Sequence, residues 1–291
     1  MKKKTLLTII LAASFVVSSI VFVTSVMVTT GFSEDVYWGF TIGGAVNAPI
    51  DKEQGIFETT EEFNNLDVKI TSSYTIIKSS DTNETRVILK TNGGDRVKLE
   101  AEVRDDTLYV SEKWTRIVGF QWTNTSVRIE IEVPEKQYNN VSIQVTSGDV
   151  NTSEMLLDCE KLNVKVTSGD VVYTGEVGAY DINVTSGDVA LYGAVGRGNI
   201  EVTSGDVKVR YAEWNDALRL KLTSGDVRVE LPPESGIRMS SKVTSGDIRY
   251  AFGDQSGKIG KVDNVRFGGD NEQSVNINMT SGDIWFGYWE N

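Results

Sequence analysis

Histidine does not occur anywhere in this chain of 291 residues. Its absence removes His-centred nucleophilic triads, imidazole general bases and His-ligated zinc in one step. Cysteine occurs once, as Cys159, so the chain can form neither an internal disulfide nor a Cys-based metal site. That residue reads as a small buried apolar side chain. Proline is scarce, with 4 residues against 27 glycines, a balance that suits a turn-rich β protein better than a disordered one. Positive charge is also short: 29 Lys and Arg face 41 Asp and Glu, for a net charge of −12. So acidic a chain is a poor partner for nucleic acid or an anionic membrane surface, and anionic wall polymers would be repelled unless a divalent cation bridged them.

There is one long hydrophobic run. Lys2, Lys3 and Lys4 precede an uncharged, largely apolar stretch from Thr5 to Ser33, with Glu34 and Asp35 after it. A secretory signal has an apolar core of about 7–15 residues and a membrane span needs about 20. The stretch has the length of a span, and no clear Ala-x-Ala site follows it. The sequence therefore predicts a cytoplasmic tail over 1–4, a transmembrane signal-anchor over 5–31 and a linker over 32–55. The three lysines place the N-terminus in the cytoplasm and the remainder outside the cell membrane as a single-pass protein. A long cleaved signal is the alternative, and it exports the same remainder. Without the three lysines the net charge becomes −12 − 3 = −15. Export without disulfides fits a bacterial envelope.

The dominant feature is a repeat. Thr-Ser-Gly-Asp begins at Thr146, Thr167, Thr185, Thr203, Thr223, Thr244 and Thr280, with steps of 21, 18, 18, 20, 21 and 36 residues. The last step is twice 18, which predicts a degenerate rung without the motif near Val262 to Phe267. Apolar residues alternate on both sides of each copy, as in Ile143/Val145, Val164/Val166 and Ile182/Val184 before it and Val171/Tyr173, Val189/Leu191 and Val207/Val209 after it. Period-two alternation marks strands with one buried face.

The phase of that alternation locates a corner. Inward positions lie three and one residues before the Thr, then four and six after it. Five steps separate the flanking inward positions, so a straight strand would turn its second half outward. The motif must absorb one residue. Gly148, Gly169, Gly187, Gly205, Gly225, Gly246 and Gly282 supply the conformational freedom, and the neighbouring Ser and Asp can hydrogen-bond the turn locally. A rung of 18–21 residues wraps once around a core. The fold class predicted is all-β, a parallel β-solenoid (β-helix or β-roll) over 141–291. Residues 56–140 form an irregular β cap or early rungs, in which Val68 to Ser73 looks like a decayed copy of the repeat.

Two chemistries suggest themselves. Stacked motif aspartates, Asp149, Asp170, Asp188, Asp206, Asp226, Asp247 and Asp283, would repel by about 1 kcal/mol per neighbour in water. Either turn N–H groups offset that repulsion, or calcium bridges successive rungs; no other cofactor is implied. Trp114, Phe120 and Trp122 could form an aromatic contact patch or a packed cap. The C-terminal run Trp285 to Trp289 poses the same choice. The acids are spread along the repeat, where a glycosidase needs two carboxyls at a set separation, so the chain reads as non-enzymatic, with no catalytic residues. Arg197, Arg210, Arg228 and Arg249 read as solvated outer charges. A secreted β-helix that binds or cleaves carbohydrate is the alternative.

With Ile131-Glu132-Val133-Pro134 closing a strand ahead of them, the Thr-Ser-Gly-Asp-Val repeats resemble the adhesin-type β-strand-repeat family. This is a domain family of unknown function that includes LiaG-like envelope proteins of Gram-positive bacteria. The resemblance spans roughly Ile56 to Tyr288. It implies a β-solenoid in the cell envelope, acting as an interaction or structural module in adhesion or envelope-stress response. The partners to expect are the membrane, a cell-wall glycan or another envelope protein. The family carries over no catalytic residue.

Overall fold

A computed structural model describes residues 53–92, 96–115 and 125–289 of the chain. The predicted tail, the anchor and the linker up to residue 52 lie outside the described residues. Among the described residues there are twenty-one strands, and no helix is long and apolar enough to cross a membrane. In chain order they are β1 (Glu53–Thr59), β2 (Asn65–Ile70), β3 (Tyr74–Ser79), β4 (Thr85–Thr91), β5 (Val97–Arg104), β6 (Thr107–Trp114) and β7 (Val127–Val133). Then come β8 (Tyr138–Val145), β9 (Asp149–Glu154), β10 (Cys159–Val166), β11 (Val171–Val184), β12 (Val189–Val202), β13 (Asp206–Tyr211) and β14 (Leu218–Leu222). The last are β15 (Asp226–Leu231), β16 (Ser235–Val243), β17 (Asp247–Phe252), β18 (Gln255–Ile259), β19 (Val262–Gly268), β20 (Asn271–Met279) and β21 (Asp283–Tyr288).

The strands before the corners pair into one ladder and the strands after them into another. The first runs β5–β6–β2–β8–β10–β11–β12–β14–β20–β16–β19. The second runs β1–β4–β7–β3–β9–β11–β12–β13–β15–β21–β17–β18. Strands β11 and β12 serve both because each shifts register near its middle, at Thr174/Val177 and Tyr192/Ala194, and continues into the next rung. The interior of the stack is parallel, and antiparallel strands close its ends: β5 on β6 and β4 on β7 at one, β19 on β16 and β18 on β17 at the other. Closing strands leave no interior rung with an unpaired edge.

Rung order departs from chain order twice. The last repeat, β20–β21, lies between β14–β15 and β16–β17. Likewise β2–β3 lies between β6–β7 and β8–β9. The expected degenerate rung near Val262 to Phe267 is therefore not a rung. That segment is β19, antiparallel to β16, and the chain reaches it through β18, which folds back on β17 at a tight turn where Phe252 pairs with Gln255. Gly253, at φ +57°, makes the turn. A Gly-Asp pair between two strands is a hairpin signal in its own right. The 36-residue step holds an outward rung, a return hairpin and an inserted rung.

Between the ladders lies one continuous apolar core from Phe63 to Phe286. Its members include residues whose phase marked them as inward, with Ile143, Val150, Val171 and Val189 all fully buried. Each such side chain contributes about 1.5–3 kcal/mol. Aromatic rings with polar tips fill the core edge, and most of the tips find partners, although the buried Trp114 Nε1 has none. Tyr138 donates to the Pro134 carbonyl at 2.8 Å and Tyr173 to that of Leu157 at 2.5 Å. Tyr180 and Tyr211 share a hydroxyl–hydroxyl bond of 2.5 Å, and Trp214 donates to Gly236 at 2.7 Å. Cys159 is packed among them, with its sulfur 3.3 Å from the Tyr173 hydroxyl. Burial pushes its thiol up to about 11, so little of it is the reactive thiolate at neutral pH.

Candidate functional site

Each Thr-Ser-Gly-Asp corner hangs on the corner of the neighbouring rung. The backbone ladder continues through its first two residues: Thr167 N–H donates to Val145 O at 2.8 Å and Ser168 N–H to Thr146 O at 2.9 Å. The next corner repeats this with Thr185 to Val166 and Ser186 to Thr167. Six of the motif glycines, all but Gly148, have φ between +89° and +120°. All seven have a second requirement. A Cβ on Gly169 would stand 2.0 Å from the Gly148 carbonyl oxygen, and one on Gly148 would stand 2.1 Å from that of Ser73.

The aspartates bond across rungs instead of within their own turns. Asp170 N–H donates to the Asp149 carboxylate at 3.0 Å, Asp188 to Asp170 at 3.0 Å, and Asp206 to Asp188 at 2.9 Å. The series continues from Asp226 to Asp206, from Asp283 to Asp226, and from Asp247 to Asp283. The spatial order thus ends Asp226, Asp283, Asp247. Burial raises the carboxyl pKa of Asp149, Asp188 and Asp226, and it pushes Asp206, which also has Asp188 and Asp226 beside it, up to about 6. At the outer end Lys258, 2.6 Å from Asp247, holds that carboxyl below its usual range. These amides are the offset to carboxylate repulsion that stacking demands. Among the described residues no group of three or more acids and thiols is arranged to hold a metal ion. The motif Thr and Ser side chains are exposed in all seven copies, in two rows of hydroxyls along the edge.

The predicted aromatic patch divides. Trp114 ends β6 and packs half-buried against the core, while Phe120 and Trp122 lie outside the described residues. In the C-terminal run, Phe286 is buried, Tyr288 donates to Ser235 O at 2.9 Å and Trp289 to Tyr211 O at 3.0 Å. Trp285 lies on the outer face of β21.

Trp285 belongs to a cluster on the outer face of the second ladder that the sequence reading missed. Glu230, with a side chain 5% exposed, receives Arg210 Nε at 2.6 Å, Arg228 Nε at 2.9 Å and Lys208 Nζ at 3.1 Å. Burial works to raise its pKa, and the three cations outweigh that and keep it below the usual carboxylate range. The Arg228 guanidinium lies 3.8 Å from the centre of the Trp285 ring, and that of Arg210 5.7 Å from the Tyr192 ring. These residues occupy the fifth and seventh positions after the motif Thr in neighbouring rungs. That shared register is a signal the sequence carries, although the Trp285 rung is out of chain order.

A family model for the Toastrack domain, a domain of unknown function, matches residues 63–174 and again 151–285. The chain belongs to the Toastrack family. Both matches fall within the stack, so the Toastrack assignment covers the parallel rungs and their corners. Solved structures similar to this Toastrack chain include a candidate cell adhesion protein from Clostridium sporogenes, at 13% identity over 82% of this chain and 100% of the other, with a TM-score of 0.35. A candidate adhesin from Parabacteroides distasonis gives 12% identity over 80% and 96%, with a TM-score of 0.45. One from Bacteroides fragilis gives 17% over 81% and 97%, with a TM-score of 0.31. No curated protein matches the chain.

Proposed function

We propose that this Toastrack chain is a non-enzymatic interaction module of the bacterial cell envelope, carried on an N-terminal membrane anchor and held outside the cell as a rigid β-solenoid. The observation that carries the reading is the outer cluster around Glu230. A buried carboxylate there fixes two guanidinium groups against two aromatic rings, on a backbone locked by rung-to-rung hydrogen bonds. Preorganised aromatic and arginine side chains on a rigid surface are the usual anchors of recognition. The lysines ahead of the apolar stretch support the topology, and the acidity of the remainder suits an exported domain. The resemblance to LiaG-like proteins adds envelope stress as the physiological setting to examine.

The test is the topology of the full chain with a C-terminal epitope tag. The tag is expected to be reached by antibody on intact protoplasts, and the chain to stay with membranes after alkaline extraction. A tag reached only after lysis would refute the reading. Tagged protein in the culture medium would replace the anchor with a cleaved signal.

A further inference from the structure

The cluster on the outer face has the composition of a sugar-binding surface. Gly287 and Ala251 pair side by side in β21 and β17. A Cβ on Gly287 would meet the Trp285 ring 2.3 Å away, so the indole leans along its own strand over that glycine. Arg228 covers one face of the indole. On the far side the neighbour across the register is Arg249, whose guanidinium turns back to Asp247 and Asp283, 3.4 Å from each. The next outward position on that neighbouring strand is Ala251, a small side chain beside Gly287.

Arg210 and Arg228 are tied to Glu230 through Nε, and among the described residues nothing bonds their terminal nitrogens. Tyr192 and Trp285 lie three rungs apart, about 14 Å at the usual spacing between strands. The span suits an extended chain of a few rings.

Charge decides which chain. The three cations Lys208, Arg210 and Arg228 are matched by three anions on the same two strands, Glu230, Asp206 and Asp226. The cluster is thus near neutral in a chain of net charge −12, and an anionic polymer would gain no attraction. A neutral sugar fits better. Its C–H face lies on an aromatic ring, its oxygens accept from guanidinium N–H groups, and its hydroxyls donate to carboxylates.

We infer that the outer face around Trp285, Arg228, Arg210 and Tyr192 is a binding site for an extended neutral glycan, with one sugar ring seated on the face of Trp285 turned away from Arg228, beside Gly287 and Ala251. The site rests on the proposed role as an envelope interaction module and names its ligand class. Hydroxyl-only and N-acetylated glycans share the chemistry.

Isothermal titration of the full chain in detergent tests the site, with xylohexaose, chitohexaose and polygalacturonate as probes. Saturable binding of at least one neutral hexasaccharide is expected, tighter than polygalacturonate. Trp285→Ala is expected to weaken it at least tenfold. Ala251→Leu, which adds bulk at the outward position beside Gly287 and removes no side-chain hydrogen bond, is expected to do the same with the melting transition retained. The hexasaccharide that binds identifies the source. No saturation with either neutral probe, tighter binding of polygalacturonate, or neutral binding unmoved by Ala251→Leu would each overturn the site. The topology test is separate, so an extracellular chain that binds no sugar loses this site and keeps its envelope role.

Discussion

The first corner of the repeat and the corners that follow it are built from different residues in the same register. Thr71-Ser72-Ser73 aligns with Thr146-Ser147-Gly148, since Ile70 pairs with Val145 and Tyr74 with Asp149. Every later corner has glycine third and aspartate fourth, and this one has Ser73 and Tyr74. The difference lies in what each corner rests on. From Gly148 onward, a neighbouring corner's carbonyl fills the place a Cβ would take. Among the described residues Ser73 rests on no corner. Its amide and those of Thr71 and Ser72 all donate to one carboxylate oxygen of Glu112, at 3.1 Å for Ser73 and 2.7 Å for Thr71. An anion in a nest of successive N–H groups replaces a row of carbonyls. The glycine is thus demanded mainly by the neighbouring rung, and the repeat is a consequence of stacking as much as of turning.

Four substitutions break or sharpen that contrast. The largest effect is expected from Gly205→Ala in mid-stack, where φ is +114° and a Cβ would stand 2.1 Å from the Gly187 carbonyl oxygen. Loss of about 3–5 kcal/mol of unfolding free energy is expected by denaturant titration, and a loss under about 1 kcal/mol would contradict the stacking account. Next is Glu112→Ala, which strips three amides of their acceptor and should remove about 2–4 kcal/mol. An unchanged denaturation midpoint would mean that water replaces the carboxylate.

A smaller effect concerns pH. The carboxyl pKa of Asp206 is raised to about 6 in the fold, so the folded chain binds its proton more tightly than the unfolded chain does. The resulting stability is fully present below about pH 4 and is lost as pH rises toward 6. With screening at the half-exposed edge, a fall of about 1 kcal/mol is expected across that window. Asp206→Asn keeps the acceptor oxygen and should remove this part of the pH dependence in melting curves; an unaltered slope would contradict it. The smallest effect belongs to Ser73→Gly, expected within about 1 kcal/mol of the parent by thermal melting. A larger loss would mean that Ser73 has a role its position at the end of the row does not explain.

Much of the corner was legible because its evidence is local. The phase shift between Val145 and Val150 lies within six residues, and it called for a corner containing Gly148 without knowledge of any neighbour. The strand frame at Val68 to Ser73 was legible for the same reason. The partners of the aspartates were not, because an Asp within reach of its own turn is also within reach of the next rung, and only stacking decides between them. Arg210 and Arg228 read as solvated charges for a similar reason, since their shared carboxylate lies on a strand that is a neighbour only in the stack.

The sequence by itself determined the rung: its strands, its inward face and the residue at which it turns, all set by sterics and burial over a few residues. Tertiary structure alone decided the order of the rungs. With near-identical corners and the same apolar alternation, the Asp283 rung could pair with either neighbour as well as the Asp247 rung could. The return hairpin at Gly253 brings the chain back so that β20 and β21 fill the gap between them, closing two open strand edges at once.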